Sequence, residues 1–173
     1  MKIVLLGYMA SGKSTIGRNL AEKMEIPFVD LDEYIEKKEE KTVSEIFEQK
    51  GEIYFRKQEH IYLKELLEQE KSFILSLGGG TPCYAGNMDV LLSFNDVRSV
   101  YLKTSINTIV DRLTKEKSKR PLVARLNNKE ELAEFVAKHL FERSYFYNQA
   151  KYKIAVDDKS IDEIMDSLQS ILS

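Results

Sequence analysis

The sequence predicts an α/β layer fold, a parallel sheet with helices on both faces, and three observations predict it. Five short apolar runs, KIVLL (2–6), PFVD (27–30), FILSL (73–77), RSVYL (98–102) and YKIAV (152–156), recur between longer helical patterns, and strands alternating with helices indicate a parallel sheet. The runs are continuous rather than alternating, as expected of strands covered on both faces. The first run passes through a glycine-rich loop into a helical pattern, the strand–loop–helix order of such a unit.

The helices follow in order. Ile16, Leu20 and Met24 repeat every four residues after the glycine loop. Thr42-Val43-Ser44-Glu45 is a capping box opening a helix that stops at Gly51. A helix is expected over about Glu52 to Gln69 and another over about Lys129 to Asn148. Ser160-Ile161-Asp162-Glu163 is a second capping box, after which Ile161, Ile164, Met165, Leu168, Ile171 and Leu172 trace an apolar stripe. One stretch, Lys115 to Arg125 (KEKSKRPLVAR), is dense in cations around a proline and reads as a mobile connection whose length suggests function or disorder.

Composition narrows the function classes. The 173 residues are expected to form one domain, residues 1–173, with a core of its own. Twenty-six basic and 28 acidic residues leave a net charge of -2, so no overall positive field recruits nucleic acid or an anionic membrane. The one cysteine, Cys83, excludes an internal disulfide and, with two histidines, makes a poor zinc set. The N-terminal aliphatic run is too short for a signal-peptide core or a membrane span, and a cytoplasmic location is expected. His60 and His139 read as packing or hydrogen-bonding groups, and Cys83, Tyr145, Tyr147 and Tyr152 as core or cleft wall.

Residues Gly7 to Thr15, GYMASGKST, carry the first chemistry. They fit G-x-x-x-x-G-K-S/T at Gly7, Gly12, Lys13 and Ser14. A loop that curls around phosphate oxygens must present backbone N–H groups, which side chains at the glycine positions would obstruct. A helix starting near Lys13 adds its positive dipole end; Lys13 reaches the β and γ phosphates, and Ser14 offers a hydroxyl to magnesium, Mg2+. The loop alone does not choose the phosphoryl acceptor, since GTPases, motor ATPases and small-molecule kinases all use it. No N-K-x-D-type guanine signature is visible, and the third run enters glycine rather than an aspartate.

Asp30 and Asp32 end the second run as V-D-L-D, and residues two apart in extended chain project to the same side. One carboxylate could hold Mg2+ through water while the other accepts a hydroxyl proton; alternatively, Asp30 caps the following helix with Glu33 as its box partner. Gly78-Gly79-Gly80 follows the third run and reads as a substrate loop whose backbone approaches a ligand closely, or as a flexible turn. Two arginines lie in apolar stripes. At about 100° per residue, Arg56 projects between Ile53 and the pair Leu63 and Leu67, and Arg143 projects with Leu132, Val136 and Leu140. An inward guanidinium needs an anion, either a substrate carboxylate or a structural partner such as Glu59 for Arg56. Arg120, in the basic stretch, is placed to swing over a nucleotide and neutralise charge on the transferred phosphoryl.

In order and spacing, GYMASGKSTIGRNLA, VDLD, YFRKQE, LSLGGGT, KRPL and the helix bearing ER-S-YFY resemble the shikimate kinase family, over Lys2 to about Val156. The resemblance implies a nucleoside-monophosphate-kinase-like fold with sheet order 2-3-1-4-5, a substrate-binding helical region over about 32–62 and a lid over about 115–126. It implies ATP- and Mg2+-dependent phosphorylation of the shikimate 3-hydroxyl, in chorismate and aromatic amino acid biosynthesis. By the same resemblance Gly7, Ala10, Ser11, Gly12, Lys13, Ser14 and Thr15 bind ATP, with Arg112 along the adenine and Arg120 as lid arginine. Ser14, and Asp30 through water, hold the metal. Asp32 binds the acceptor hydroxyls and acts as base; Lys13 and Arg120 share the catalytic work. Arg56 and Arg143, with Gly78, Gly79 and Gly80, grip the carboxylate and ring. A monomer is expected.

Three positions depart from the family pattern. Glycine usually stands where this chain has Ala10, and proline and leucine usually stand where it has Tyr145 and Phe146. The nearest rival is a kinase of gluconate or a nucleotide, and a more distant one is a nucleotide-binding regulatory module; intact Lys13, Ser14 and Asp32 argue against the latter.

Overall fold

Each apolar run becomes a strand in the computed structural model, which describes residues 1–116 and 128–173. The strands β1 (Lys2–Leu6), β2 (Phe28–Asp30), β3 (Phe73–Ser76), β4 (Val97–Lys103) and β5 (Tyr152–Ala155) form one parallel sheet of order β2-β3-β1-β4-β5. Alternation along β1 shows why its run is continuous. Ile3 and Leu5 face one core cluster, with Ile16, Leu20 and Leu168, while Val4 and Leu6 face the other, with Leu31, Leu63 and Val136. All four are fully buried, so both faces of the strand must be apolar.

Seven α-helices lie among the described residues. Two of them, α1 (Lys13–Met24) and the last, α7 (Ile161–Leu172), cover one face. The others are α2 (Leu31–Glu39), α3 (Val43–Leu67), α4 (Asn87–Ser93), α5 (Ile106–Lys115) and α6 (Lys129–Tyr147), and the buried residues of α2 to α6 pack on the opposite face. Both expected capping boxes form, at Thr42 with Glu45 and at Ser160 with Glu163. At Gly51 the backbone leaves helical geometry (φ 86°, ψ 170°), so α3 is two helices joined at a kink, the first ending at Gly51 as expected and the second starting at once. Glycine takes that positive φ at little steric cost.

Three expected core positions are corrected. Ile53 is 89% exposed: it stands about 200° round α3 from Phe55, and the inward face is Phe55, Glu59, Leu63 and Leu66. Tyr145 is 72% exposed and Ile161 44%, both on outward turns of helices whose neighbours Tyr147 and Ile164 take the core places. No described helix is long and apolar enough to cross a membrane.

Candidate active site

The loop between β1 and α1 is held in shape by its own lysine. Lys13 Nζ donates to the carbonyl oxygens of Gly7 at 2.8 Å and Tyr8 at 2.9 Å, closing the loop into a ring around the site. Gly7 has φ 151°, and a Cβ there would meet Leu102 O at 2.9 Å; Gly12, the residue before α1, has φ 89°. Ala10 also adopts a left-handed φ of 60°, which explains physically why glycine suits that position. Arg112, from α5, reaches across to donate from Nη1 to Ala10 O at 2.8 Å.

The pair of aspartates is arranged differently from the extended-chain expectation. β2 ends at Asp30, whose Oδ1 accepts from Glu33 N at 3.1 Å and starts α2 immediately, placing Asp32 in the first helical turn. Alternation along a strand therefore does not bring the two carboxylates together; the tight strand-to-helix junction does, and both line the same cleft. Asp30 keeps its other oxygen for Ser14, whose Oγ donates to Oδ2 at 3.1 Å. The expected reciprocal bond from Glu33 is absent among the described contacts, because its carboxylate accepts from Arg18 instead.

That cleft, of about 580 Å³, is lined by Ser11 to Thr15, Asp30, Asp32, Gly78, Gly79 and Arg112 among others. Burial, followed by the nearby charges of Asp30 and Glu59, pushes the Asp32 carboxyl up to about 6, against the pull of Lys13. The Ser14 hydroxyl stands against one carboxylate oxygen of Asp30, and no cluster of three or more His, Cys, Asp or Glu is present among the described residues. That set fits Mg2+, which keeps several waters and takes one or two carboxylates plus phosphate oxygens.

Gly78, Gly79 and Gly80 each stand against one of the singled-out polar side chains. A Cβ on Gly78 would lie 3.2 Å from Asp32 Oδ1, on Gly79 3.2 Å from Arg143 Nη1, and on Gly80 2.7 Å from Arg56 Nη2. The triplet is thus a floor on which an acid and two guanidinium groups can converge. Arg56, 17% exposed, pairs through Nη1 with Glu59 at 3.0 Å, so the structural-partner reading of this arginine holds. Glu59 is itself 1% exposed and accepts from Thr81 Oγ1 at 2.8 Å; burial raises its carboxyl, and Arg56 works against that rise. Arg56, Gly80 and Arg143 do not line the cleft itself. Arg120 lies outside the described residues, as does most of the expected lid.

Sequence reasoning missed the groups that dock α6 onto the site. Tyr147 donates to Gly79 O at 2.5 Å, and the Tyr8 hydroxyl hydrogen-bonds His139 Nδ1 at 3.0 Å. These contacts place Arg143 beside the triplet. Their partners are 68 and 131 residues apart in the chain, and no local pattern signals them.

A phosphate loop facing an acid and two inward arginines across a glycine floor defines a P-loop phosphotransferase acting on a small anionic acceptor. The comparisons narrow the class. The family model described as shikimate kinase matches residues 9–173, and the chain belongs to that family. It is 55% identical over 172 residues to the shikimate kinase of Flavobacterium johnsoniae, covering 99% of both chains. The crystal structure of shikimate kinase from Bacteroides thetaiotaomicron superposes with a TM-score of 0.90 at 36% identity, covering 99% of this chain and 98% of that one. Shikimate kinase from Acinetobacter baumannii, solved in complex with shikimate, gives 0.84 at 31% identity, covering 99% and 92%. ATP is the phosphate donor of this family.

Proposed function

We propose that the chain transfers the γ-phosphoryl group of ATP to the 3-hydroxyl of shikimate, giving shikimate 3-phosphate and ADP. The observation that carries this reading is the pairing of each glycine of the triplet with Asp32, Arg143 or Arg56. Shikimate is a polyol bearing one carboxylate. Two guanidinium groups suit the carboxylate, and one carboxyl with a raised pKa suits a hydroxyl that must lose its proton.

The residues divide the work by position. Gly7, Ala10, Ser11, Gly12, Ser14 and Thr15 form the loop that cradles the ATP phosphates through backbone N–H groups and the start of α1. Lys13 exchanges its loop carbonyls for the β and γ phosphates, and Arg112 lies along the base. Ser14 and, through water, Asp30 would hold Mg2+, which when bound would neutralise charge on the phosphates. Asp32 accepts the proton of the acceptor hydroxyl; Arg56, Arg143 and the Gly78–Gly80 backbone orient the acceptor for in-line attack. Arg120 and the lid over about 115–126 screen the transferred group from water.

The region over about 32–62, from Asp32 through Arg56, forms the acceptor side. A monomer completes the reading, and an ATP-dependent enzyme with a single cysteine fits the cytoplasm and a step in aromatic amino acid synthesis. No charge pattern calls for nucleic acid or a membrane as partner.

ADP release measured with Mg-ATP against shikimate, gluconate and a nucleoside monophosphate in parallel tests the acceptor. Strong turnover with shikimate alone is expected. Silence with shikimate alongside turnover of another acceptor would show that the arginines hold a different anion.

A further inference from the structure

One aromatic ring outside every motif packs against the Arg56 guanidinium. Tyr84 closes the short 3-10 turn Thr81–Cys83 that follows the glycine triplet, and its ring centroid is 3.9 Å from Arg56 Cζ. Phe55 and Phe47 approach the same guanidinium only to 5.3 and 6.0 Å. Glu59 engages Nη1 at 3.0 Å, whereas Glu52 stands 3.7 Å from Nε and Nε is buried without a hydrogen-bond partner. Gly80 leaves Nη2 the space a Cβ would fill. Nη1 is therefore committed and Nε is closed off, and Nη2 remains as the donor open to a carboxylate.

An arginine fixed through one nitrogen can still swivel about that contact. A ring laid against its guanidinium removes the swivel and favours the cation by its quadrupole. We propose that Tyr84 is a positioning residue for the acceptor, packing on the Arg56 guanidinium so that Nη2, beside Gly80, is held for the acceptor carboxylate. The proposal rests on the reading of Arg56 as a carboxylate ligand. Tyr84 is 38% exposed and, with Ile53 and Ile61, lines a surface cavity of about 600 Å³, so its replacement removes little core. Its hydroxyl makes no hydrogen bond among the described residues, and the ring alone carries the effect.

Steady-state kinetics of the full chain with Tyr84→Leu and Tyr84→Phe test this, shikimate being varied at saturating Mg-ATP and ATP at saturating shikimate, with a thermal melt of each protein. Tyr84→Leu is expected to raise the shikimate KM about two- to thirtyfold, the range spanned by exposed and desolvated cation–π contacts. The ATP KM and kcat stay within about twofold, and Tyr84→Phe restores the shikimate KM. An unchanged shikimate KM in Tyr84→Leu overturns the positioning role alone. So does an equal loss in both substrates with a lowered melting temperature that Phe does not rescue, which is the signature of a structural residue. A wild-type protein silent with shikimate overturns the acceptor reading and this inference together.

Discussion

The Arg56 guanidinium occupies the space that a side chain on Gly80 would need, its Nη2 lying 2.7 Å from where a Cβ would stand. It cannot simply move aside, because Glu59 holds Nη1 at 3.0 Å and Tyr84 packs against it at 3.9 Å. Gly80 has φ -87°, so alanine fits its backbone and the conflict is with the arginine alone. Gly80→Ala is therefore expected to raise the acceptor KM by about tenfold or more, the value of a charge-assisted hydrogen bond, with the ATP KM unchanged. Varying each substrate separately checks it; an unchanged acceptor KM would detach Arg56 from the acceptor.

Asp32 is placed to remove a proton, and burial among other carboxylates makes it a stronger base than an exposed aspartate. Asp32→Asn keeps the shape and is expected to lower kcat by about 10²–10⁴-fold while ATP binding, measured by calorimetry, persists. Activity near wild type would remove Asp32 from the role of base.

The junction of α2 and α3 carries a pH-dependent contribution to stability. Glu39 accepts from Tyr62 at 2.7 Å and Tyr54 at 2.8 Å, and these bonds hold its carboxyl below the usual value. A group whose folded pKa is depressed stabilises above its unfolded pKa, here 4.5, and loses that contribution as pH falls through the folded value. Glu39→Gln is expected to lower stability at pH 7 by about 1–2 kcal/mol and to flatten the fall in melting temperature as pH drops below 4.5. An equally steep fall in the variant would assign the acid sensitivity elsewhere.

Ala10 stands at φ 60° in the phosphate loop. A left-handed alanine costs about 1–2 kcal/mol, and glycine's greater freedom in the unfolded chain returns about 0.5–1 kcal/mol of that. Ala10→Gly is expected to raise the melting temperature by about 1–4 °C without changing the ATP KM. A lower melting temperature would mean that the alanine methyl packs usefully.

What the sequence showed and what it hid follow from the range of the forces involved. The five strands were legible because burial on both faces makes each run apolar throughout, and the phosphate loop because its glycines answer a local backbone demand. The inward arginines were legible as polar interruptions of an apolar period. Asp32 was singled out for a geometry that does not exist: the Asp30 cap ends β2 and starts α2 in a single residue, an outcome alternation cannot foresee. Ile53 misled because an apolar residue in a helix's first turn need not face the core, and the inward face here runs through Phe55, Glu59, Leu63 and Leu66. Tyr147 on Gly79 and Tyr84 on Arg56 were invisible, since each joins segments brought together only by the finished fold.

The central claim is that Arg56 holds the acceptor through its carboxylate, and turnover of shikimate compared with its carboxamide, on wild type and on Arg56→Ala, tests it most directly. The account predicts that wild type prefers the acid by on the order of a hundredfold in kcat/KM, and that Arg56→Ala loses most of this preference while keeping its ATP KM. A variant that discriminates acid from amide as strongly as wild type would contradict it.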